Sequence, residues 1–267
     1  DLKKPNIISY LLFPLTLFIS INNLFLKFKS KKINKKIKSI CIGNIYLGGT
    51  GKTPTTITIF EILKKLGLKV STAKKFYDSQ YDENLILEQK TRFITSENRN
   101  KILSKGIEDG LQIIIFDDGL QDKTISYDME FVCFDSESFI GNGCLIPAGP
   151  LREKLEALNK YDAVFLKNNG DDIQKQINLI RKFNKNIKIF ETYFEIKNLD
   201  KFNLNHNFLI FSGIGNPTNF KKILTNNNFK VVDEIIFADH YNYKREEFEN
   251  ILSSAKKNNL RVITTEK

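Results

Sequence analysis

The chain has 267 residues, 41% of them hydrophobic and 27% charged, which is enough to bury a core and too apolar for a disordered chain. Its formal charge of +10 is laid out unevenly. Residues 1–39 hold nine lysines against one acid, so +8 of the +10 sits there and only +2 on the other 228 residues. A body so near neutrality argues against a protein whose folded face coats nucleic acid. Lysines outnumber arginines 35 to 6 and there are 28 asparagines, a bias read as AT-rich codons, so that Asn226-Asn227-Asn228 is loop filler. Cys41, Cys133 and Cys144 are odd in number and widely spaced, fitting neither a disulfide frame nor a zinc site. They point to a reducing compartment.

The first element is the apolar run Ile7–Ile21, fifteen residues without a charge. It is short of the ~20 residues a helical span needs, Pro14 interrupts it, and Asn22-Asn23 ends it. No small-x-small cleavage site follows, which argues against a secretory signal. The favoured reading is an interfacial helix dipping into one leaflet, with the Lys27–Lys38 cluster on anionic headgroups. A hairpin packed on the protein's own core is the alternative. Residues 1–36 thus form a membrane-associating arm.

Ile37–Ile45 is a short, β-branched, glycine-ended run, hence a buried strand. Tyr46–Thr53 is a glycine loop, and Pro54 falls in the first turn of a helix carried by Ile57, Phe60, Leu63 and Leu66 and stopped by Gly67. Leu68–Thr72, Leu111–Phe116, Phe131–Phe134, Ala163–Leu166 and Ile187–Phe190 are further short apolar runs, with helical patterns between several of them. That alternation predicts a parallel sheet covered on both faces over residues 37–195. The pattern restarts after Asn198-Leu199-Asp200. Strand Phe208–Phe211, a Gly213–Pro217 turn into a helix through Leu224, strand Lys230–Phe237, a helix near Lys244–Asn258 and strand Arg261–Thr264 make a smaller α/β domain over 196–267. The chain starts without methionine and stops just past a strand, which reads as an incomplete chain.

Gly48-Gly49-Thr50-Gly51-Lys52-Thr53, between a strand and a helix, is the strongest chemical signal. Glycines let backbone N–H groups curl around phosphate oxygens, and the helix start turns partial positive charge on them. Lys52 can reach the outer phosphates, and the Thr53 hydroxyl suits Mg²⁺. The full pattern G-x-x-x-x-G-K-(S/T) would place glycine where Tyr46 stands. Asp117-Asp118, at the end of a core strand, are placed to hold Mg²⁺ directly or through water.

Six motifs in this order, GNIYLGGTGKTP (43–54), DDGLQ (117–121), GNGCLIPAGPLRE (141–153), SGIGNP (212–217), FADHYNY (237–243) and a final TTEK, closely resemble the tetraacyldisaccharide 4'-kinase family of lipid A biosynthesis, over essentially the whole chain. The resemblance implies a P-loop kinase on the cytoplasmic face of the inner membrane that moves the γ-phosphate of ATP to the 4'-hydroxyl of a tetraacyldisaccharide 1-phosphate. It implies an ATP loop of Tyr46, Leu47, Gly48, Gly49, Thr50, Gly51, Lys52 and Thr53, and a metal set of Thr53, Asp117 and Asp118. Asp82, in YDEN, matches a proposed base working with a histidine, here His240; Arg152 matches an arginine set over phosphates. By themselves Asp82 would be a helix-start acid, Arg152 one of a solvated pair and His240 a packed or surface histidine. Departures are concentrated in Ser71–Asn84, which lacks the family's Arg-Gly pair and has Tyr81 before Asp82; Asp122 replaces a histidine after DDGLQ. Rival readings are a family member that binds ATP without turnover, and a GTPase switch. The latter would carry Asn-Lys-x-Asp, which Leu166-Lys167-Asn168-Asn169 does not match.

Overall fold

The computed structural model describes residues 4–17, 32–33, 36–77, 81–122, 124–168, 170–196, 198–239 and 241–266. His240 and most of the lysine cluster between residues 27 and 35 lie outside them. The chain divides into two compact units, Asp1–Thr192 and Tyr193–Lys267.

Twelve strands are described, β1 Lys32–Ile33, β2 Lys38–Gly43, β3 Val70–Lys75, β4 Phe93–Ser96, β5 Ile113–Asp117, β6 Ile125–Ser126, β7 Met129–Asp135, β8 Ala163–Lys167, β9 Lys188–Thr192, β10 Asn207–Ser212, β11 Lys230–Ile236 and β12 Arg261–Thr264. The α-helices are α1 Ile7–Leu12, α2 Lys52–Lys65, α3 Tyr81–Lys90, α4 Arg99–Glu108, α5 Gln174–Phe183, α6 Pro217–Asn226 and α7 Arg245–Lys257. In the first unit seven strands form one sheet in the order β4-β3-β5-β2-β7-β8-β9, every pair parallel. Strand alternation sends successive side chains to opposite faces. Cys41, Ile114, Phe116, Val132 and Phe134 therefore join one apolar cluster, and Ile40, Ile42, Ile115 and Cys133 join another with Phe60 of α2. Both faces are covered, as the near-continuous apolar runs predict.

The predicted strands are each present with small shifts of boundary. Ile37–Ile45 contracts to β2, because Asn44 and Ile45 already turn into the phosphate loop, and Leu68–Thr72 moves on to β3. The edge strand β4 and the two-residue pair β1–β6 carry too few alternating residues to announce themselves.

The arm contributes α1 and a 3₁₀ turn at Phe13–Leu15, shorter than the apolar run. Its polarity is inverted. Ser9 and Thr16 are buried, whereas Ile7, Ile8, Tyr10, Leu11, Phe13, Leu15 and Leu17 face outward. Asn6 caps the helix by accepting from the Ser9 amide at 2.9 Å, and Asn142 Nδ2 donates to Ser9 Oγ at 3.3 Å. Among the described residues no helix is long and apolar enough to cross a membrane.

In the second unit β11-β10-β12 form a parallel sheet with β10 in the centre. Phe208 and Ile210 pack on the side of Leu224, and Leu209 and Phe211 on the side of Ile251 and Ala255.

Candidate phosphate-transfer site

The central strand β2 runs straight into the glycine loop, and α2 leaves it. Gly48 has φ +130° and Gly51, the N-cap of α2, has φ +83°, both in the region that L side chains rarely adopt. Only glycine takes these turns cheaply, and Gly51 adds no side chain over the helix start, where the first amides have no intrahelical acceptor. The loop is shaped from inside by Asn44, fully buried, whose Nδ2 donates to Gly48 O at 3.2 Å and to Thr50 Oγ1 at 3.1 Å. Tyr46, standing where the motif would have glycine, packs its ring with Leu145 and Leu151.

The two aspartates divide the work. Asp117, on β5 beside β2, has no exposed surface; its Oδ2 accepts from Thr53 Oγ1 at 2.9 Å, and its Oδ1 lies 3.4 Å from Thr56 Oγ1. Asp118 turns the other way, with Lys52 Nζ 3.9 Å and Arg152 Nη1 3.3 Å from its Oδ2. Burial pushes the Asp118 carboxyl up, but Lys52, Arg152 and Lys74 outweigh it and hold it below the ordinary carboxylate value. Asp118 has φ +60°, a conformation costing about 1–2 kcal/mol for a residue with a Cβ. Arg99, at the start of α4, clamps that turn: Nη2 donates to Asp118 O at 2.6 Å and Nη1 pairs with Asp122. The aspartate that replaces a histidine after DDGLQ is therefore the counter-ion of a buried arginine.

Arg152 reaches the loop through backbone pairing. Tyr46 bridges Leu151, Leu47 N donates to Pro150 O at 2.7 Å and Arg152 N donates to Ile45 O at 2.8 Å. Gln121 Nε2 joins both sides by donating to Asn44 O at 3.0 Å and to Glu153 Oε1 at 2.9 Å. Beyond Asp118 lies a cavity of about 290 Å³, walled by Lys74, Tyr77, Arg99, Gln121, Asp122 and Arg152. On the far side of the loop Lys167 pairs with Asp135, its Cδ 3.8 Å from where a Cβ on Gly51 would sit. The neighbouring Asn168 spends its amide on its own turn and on β9, Nδ2 donating to Asp171 O and to Glu191 and Oδ1 accepting from the Gly170 and Asp171 amides.

Lys52, Thr53, Asp117, Asp118 and Arg152 thus meet at one place. Asp82 lies half-buried in the first turn of α3, next to Glu83, which pairs with Lys74. Burial pulls the Lys74 ammonium down, yet Asp117 and Glu83 outweigh it and keep it charged. His240 lies outside the described residues. Thr53 and Asp117 offer hard oxygen donors at the loop's mouth, the set that Mg²⁺ takes when phosphates and water supply its other ligands. Among the described residues no group of three or more His, Cys, Asp or Glu is placed to hold a metal ion. Asn44, Lys74, Arg99, Gln121 and Lys167 were missed as site residues. Asn44 and Gln121 lie inside motifs that carry the resemblance, whereas Lys74 and Lys167 lie in segments noted only for not matching a pattern.

In the second unit the remaining motifs converge. Ser212–Pro217, Phe237–Asp239 and Thr264-Thr265 lie at the carboxyl ends of β10, β11 and β12, where open parallel sheets bind ligands. Gly213 permits that approach: a Cβ there would stand 3.0 Å from Ala238 O and 3.1 Å from the Tyr243 hydroxyl.

A family model described as LpxK, tetraacyldisaccharide-1-P 4'-kinase, matches residues 8–267. A tetraacyldisaccharide 4'-kinase of Pelagibacter ubique is 43% identical over 267 residues, covering 100% of this chain and 85% of the relative. One of Rickettsia canadensis is 35% identical over 283 residues, covering 99% and 85%. Among solved structures, LpxK of Aquifex aeolicus in complex with ATP superposes with a TM-score of 0.69 at 21% identity, over 97% of this chain and 89% of that one, a likeness of fold. With the loop and the paired aspartates, these matches lead to one conclusion: the chain belongs to the tetraacyldisaccharide-1-P 4'-kinase family.

Proposed function

We propose that this protein is an ATP-dependent kinase that phosphorylates the 4'-hydroxyl of a tetraacyldisaccharide 1-phosphate in lipid A biosynthesis. The observation that carries the reading is the cluster of Lys52, Thr53, Asp117, Asp118 and Arg152 around a glycine loop in a chain 43% identical to a relative bearing that name. Phosphoryl transfer asks mostly for alignment and charge neutralisation. Lys52 and the α2 amides bind the β- and γ-phosphates. Arg152 leaves Asp118 to offset charge on the transferring group. Thr53 and Asp117 would hold Mg²⁺, with Asp118 close by, and the ion would supply neutralisation between the outer phosphates. Asp82 takes the proton of the acceptor hydroxyl, with His240 as its partner. The polar cavity beside Asp118 suits the acceptor's sugar. The same arrangement without turnover would be the ATP-binding rival, so the test is transfer itself: labelled ATP with the lipid disaccharide 1-phosphate. Lys52→Ala should lower single-turnover transfer by about 10³-fold in a folded protein. Unchanged transfer would remove the loop from the mechanism.

The outward apolar face of α1 supports a peripheral seat on an anionic surface, the cytoplasmic face of the inner membrane. Seven large apolar side chains lie uncovered on one short segment whose polar residues face the protein, the reverse of a water-facing helix. Such a seat brings the sugar head to the loop while the acyl chains stay in the leaflet.

A further inference from the structure

Among the described residues the large side chains with essentially no exposed surface include a lysine, Lys74, beside phenylalanines such as Phe116 and Phe134. Burying an ammonium is costly unless carboxylates surround it, and the structure supplies two. Glu83, in the first turn of α3, pairs with Nζ, and Asp117 Oδ2 lies 3.3 Å from it. The sheet register sets this up: Ala73 of β3 is level with Phe116 of β5, so the next residues, Lys74 and Asp117, share the carboxyl end of the sheet. Asp117 Oδ2 also accepts from Thr53 Oγ1. A continuous polar chain, Glu83–Lys74–Asp117–Thr53, therefore joins the start of α3 to the start of α2, and α3 carries Asp82 directly before Glu83.

Neighbouring residues on a helix project about 100° apart, so holding the Glu83 side chain fixes the rotation of that first turn and with it the direction of Asp82. Buried ion pairs contribute little to stability compared with apolar replacements, and their best-attested use is to hold one arrangement against others. We propose that Lys74 is a positioning residue for phosphoryl transfer, locking the Asp82-bearing turn of α3 to Asp117 at the nucleotide site through its ion pairs with Glu83 and Asp117. The inference rests on the kinase reading above and on Asp82 as the base.

The test uses the full chain with Lys74→Met, Lys74→Arg, Glu83→Gln and the Lys74→Met/Glu83→Gln double variant. Three quantities are read: single-turnover transfer from labelled ATP to the tetraacyldisaccharide 1-phosphate, the Kd of Mg-ATP, and amide hydrogen exchange across residues 81–90. Lys74→Met and Glu83→Gln should each slow transfer on the order of 100-fold, the scale of a small misplacement of a reacting group. Mg-ATP affinity should stay within about threefold, and α3 should exchange faster. The double variant should be little worse than either single, as for groups acting as a unit, and Lys74→Arg should recover most of the rate. If Lys74→Met does not fold, Glu83→Gln, which leaves the Lys74–Asp117 pair in place, decides alone. Wild-type transfer in Glu83→Gln, unchanged exchange in α3, or a loss seated in Mg-ATP affinity would overturn the proposal, the last by making Lys74 a phosphate ligand. Asp82→Asn separates the two levels. If it transfers at the wild-type rate the base assignment fails; if it is dead while Lys74→Met and Glu83→Gln are active, only the lock fails.

Discussion

Asn44 gives the most direct test of how the loop is held. Its amide is fully buried and donates two hydrogen bonds, to Gly48 O and Thr50 Oγ1, bracing the glycine loop against the end of β2. A net ~0.5–1.5 kcal/mol for each bond gives about 1–3 kcal/mol for Asn44→Ala, divided between folding stability and loop order. If most falls on loop order, the Kd of Mg-ATP rises by about 10- to 100-fold, since ~1.4 kcal/mol is tenfold. Asn44→Asp keeps the size but replaces the donor with an acceptor and adds a buried negative charge behind a phosphate site. It should bind more weakly than Asn44→Ala. Calorimetric titration with Mg-ATP, alongside thermal melts, measures both parts. Unchanged Kd and Tm in Asn44→Ala, or wild-type binding in Asn44→Asp, would refute the idea that this side chain shapes the loop.

Lys52→Ala should keep the melting temperature of the wild type while transfer falls by about 10³-fold, separating chemistry from folding. Asp82→Asn and His240→Ala should each abolish most transfer, with a double variant little worse and ATP affinity retained in all three; additive losses in kcat would mean the two act separately. Removing residues 1–36 takes away the apolar helix and eight lysines, so flotation with anionic vesicles should be lost, and for the full chain it should weaken as salt rises. Asp122 carries the pH prediction. Burial raises its pKa, but hydrogen bonds from Thr124 and the Arg99 guanidinium outweigh this and lower it. A carboxylate lowered in the folded state stabilises fully above its unfolded pKa and loses that stabilisation as pH falls through its folded one. The Tm gap between wild type and Asp122→Asn should therefore be full at neutral pH and close in strong acid; a gap that widens on acidification would contradict the Arg99 pairing.

Much of this was readable along the chain. Gly48–Thr53 between an apolar run and a helical period, Asp117-Asp118 at the end of another run, and the strand–helix alternation are local patterns, and local patterns survive in a linear text. Proline and glycine marked the ends of α2 for conformational reasons that hold in any context. Strand β4 escaped because four residues at a sheet edge, three half-buried and one exposed, give almost no alternation to detect. The splitting of Asp117 from Asp118 escaped too, because identical neighbours differ only in which way the backbone turns, here through the left-handed residue Asp118.

By itself the sequence determined the main strand–helix alternation, the parallel sheet, the phosphate loop and the family. Tertiary structure alone decided which side chains meet at that loop. Thr53, Lys74 and Asp117 come from three separate segments and touch because β3, β5 and β2 lie side by side in register. Arg152 arrives because its strand-like segment bridges Tyr46 and Leu47, and Arg99 because α4 begins beside the Asp118 turn. Periodicity reports which face of an element is buried, whereas contacts across a sheet depend on strand order and register, which are set by packing distant segments together.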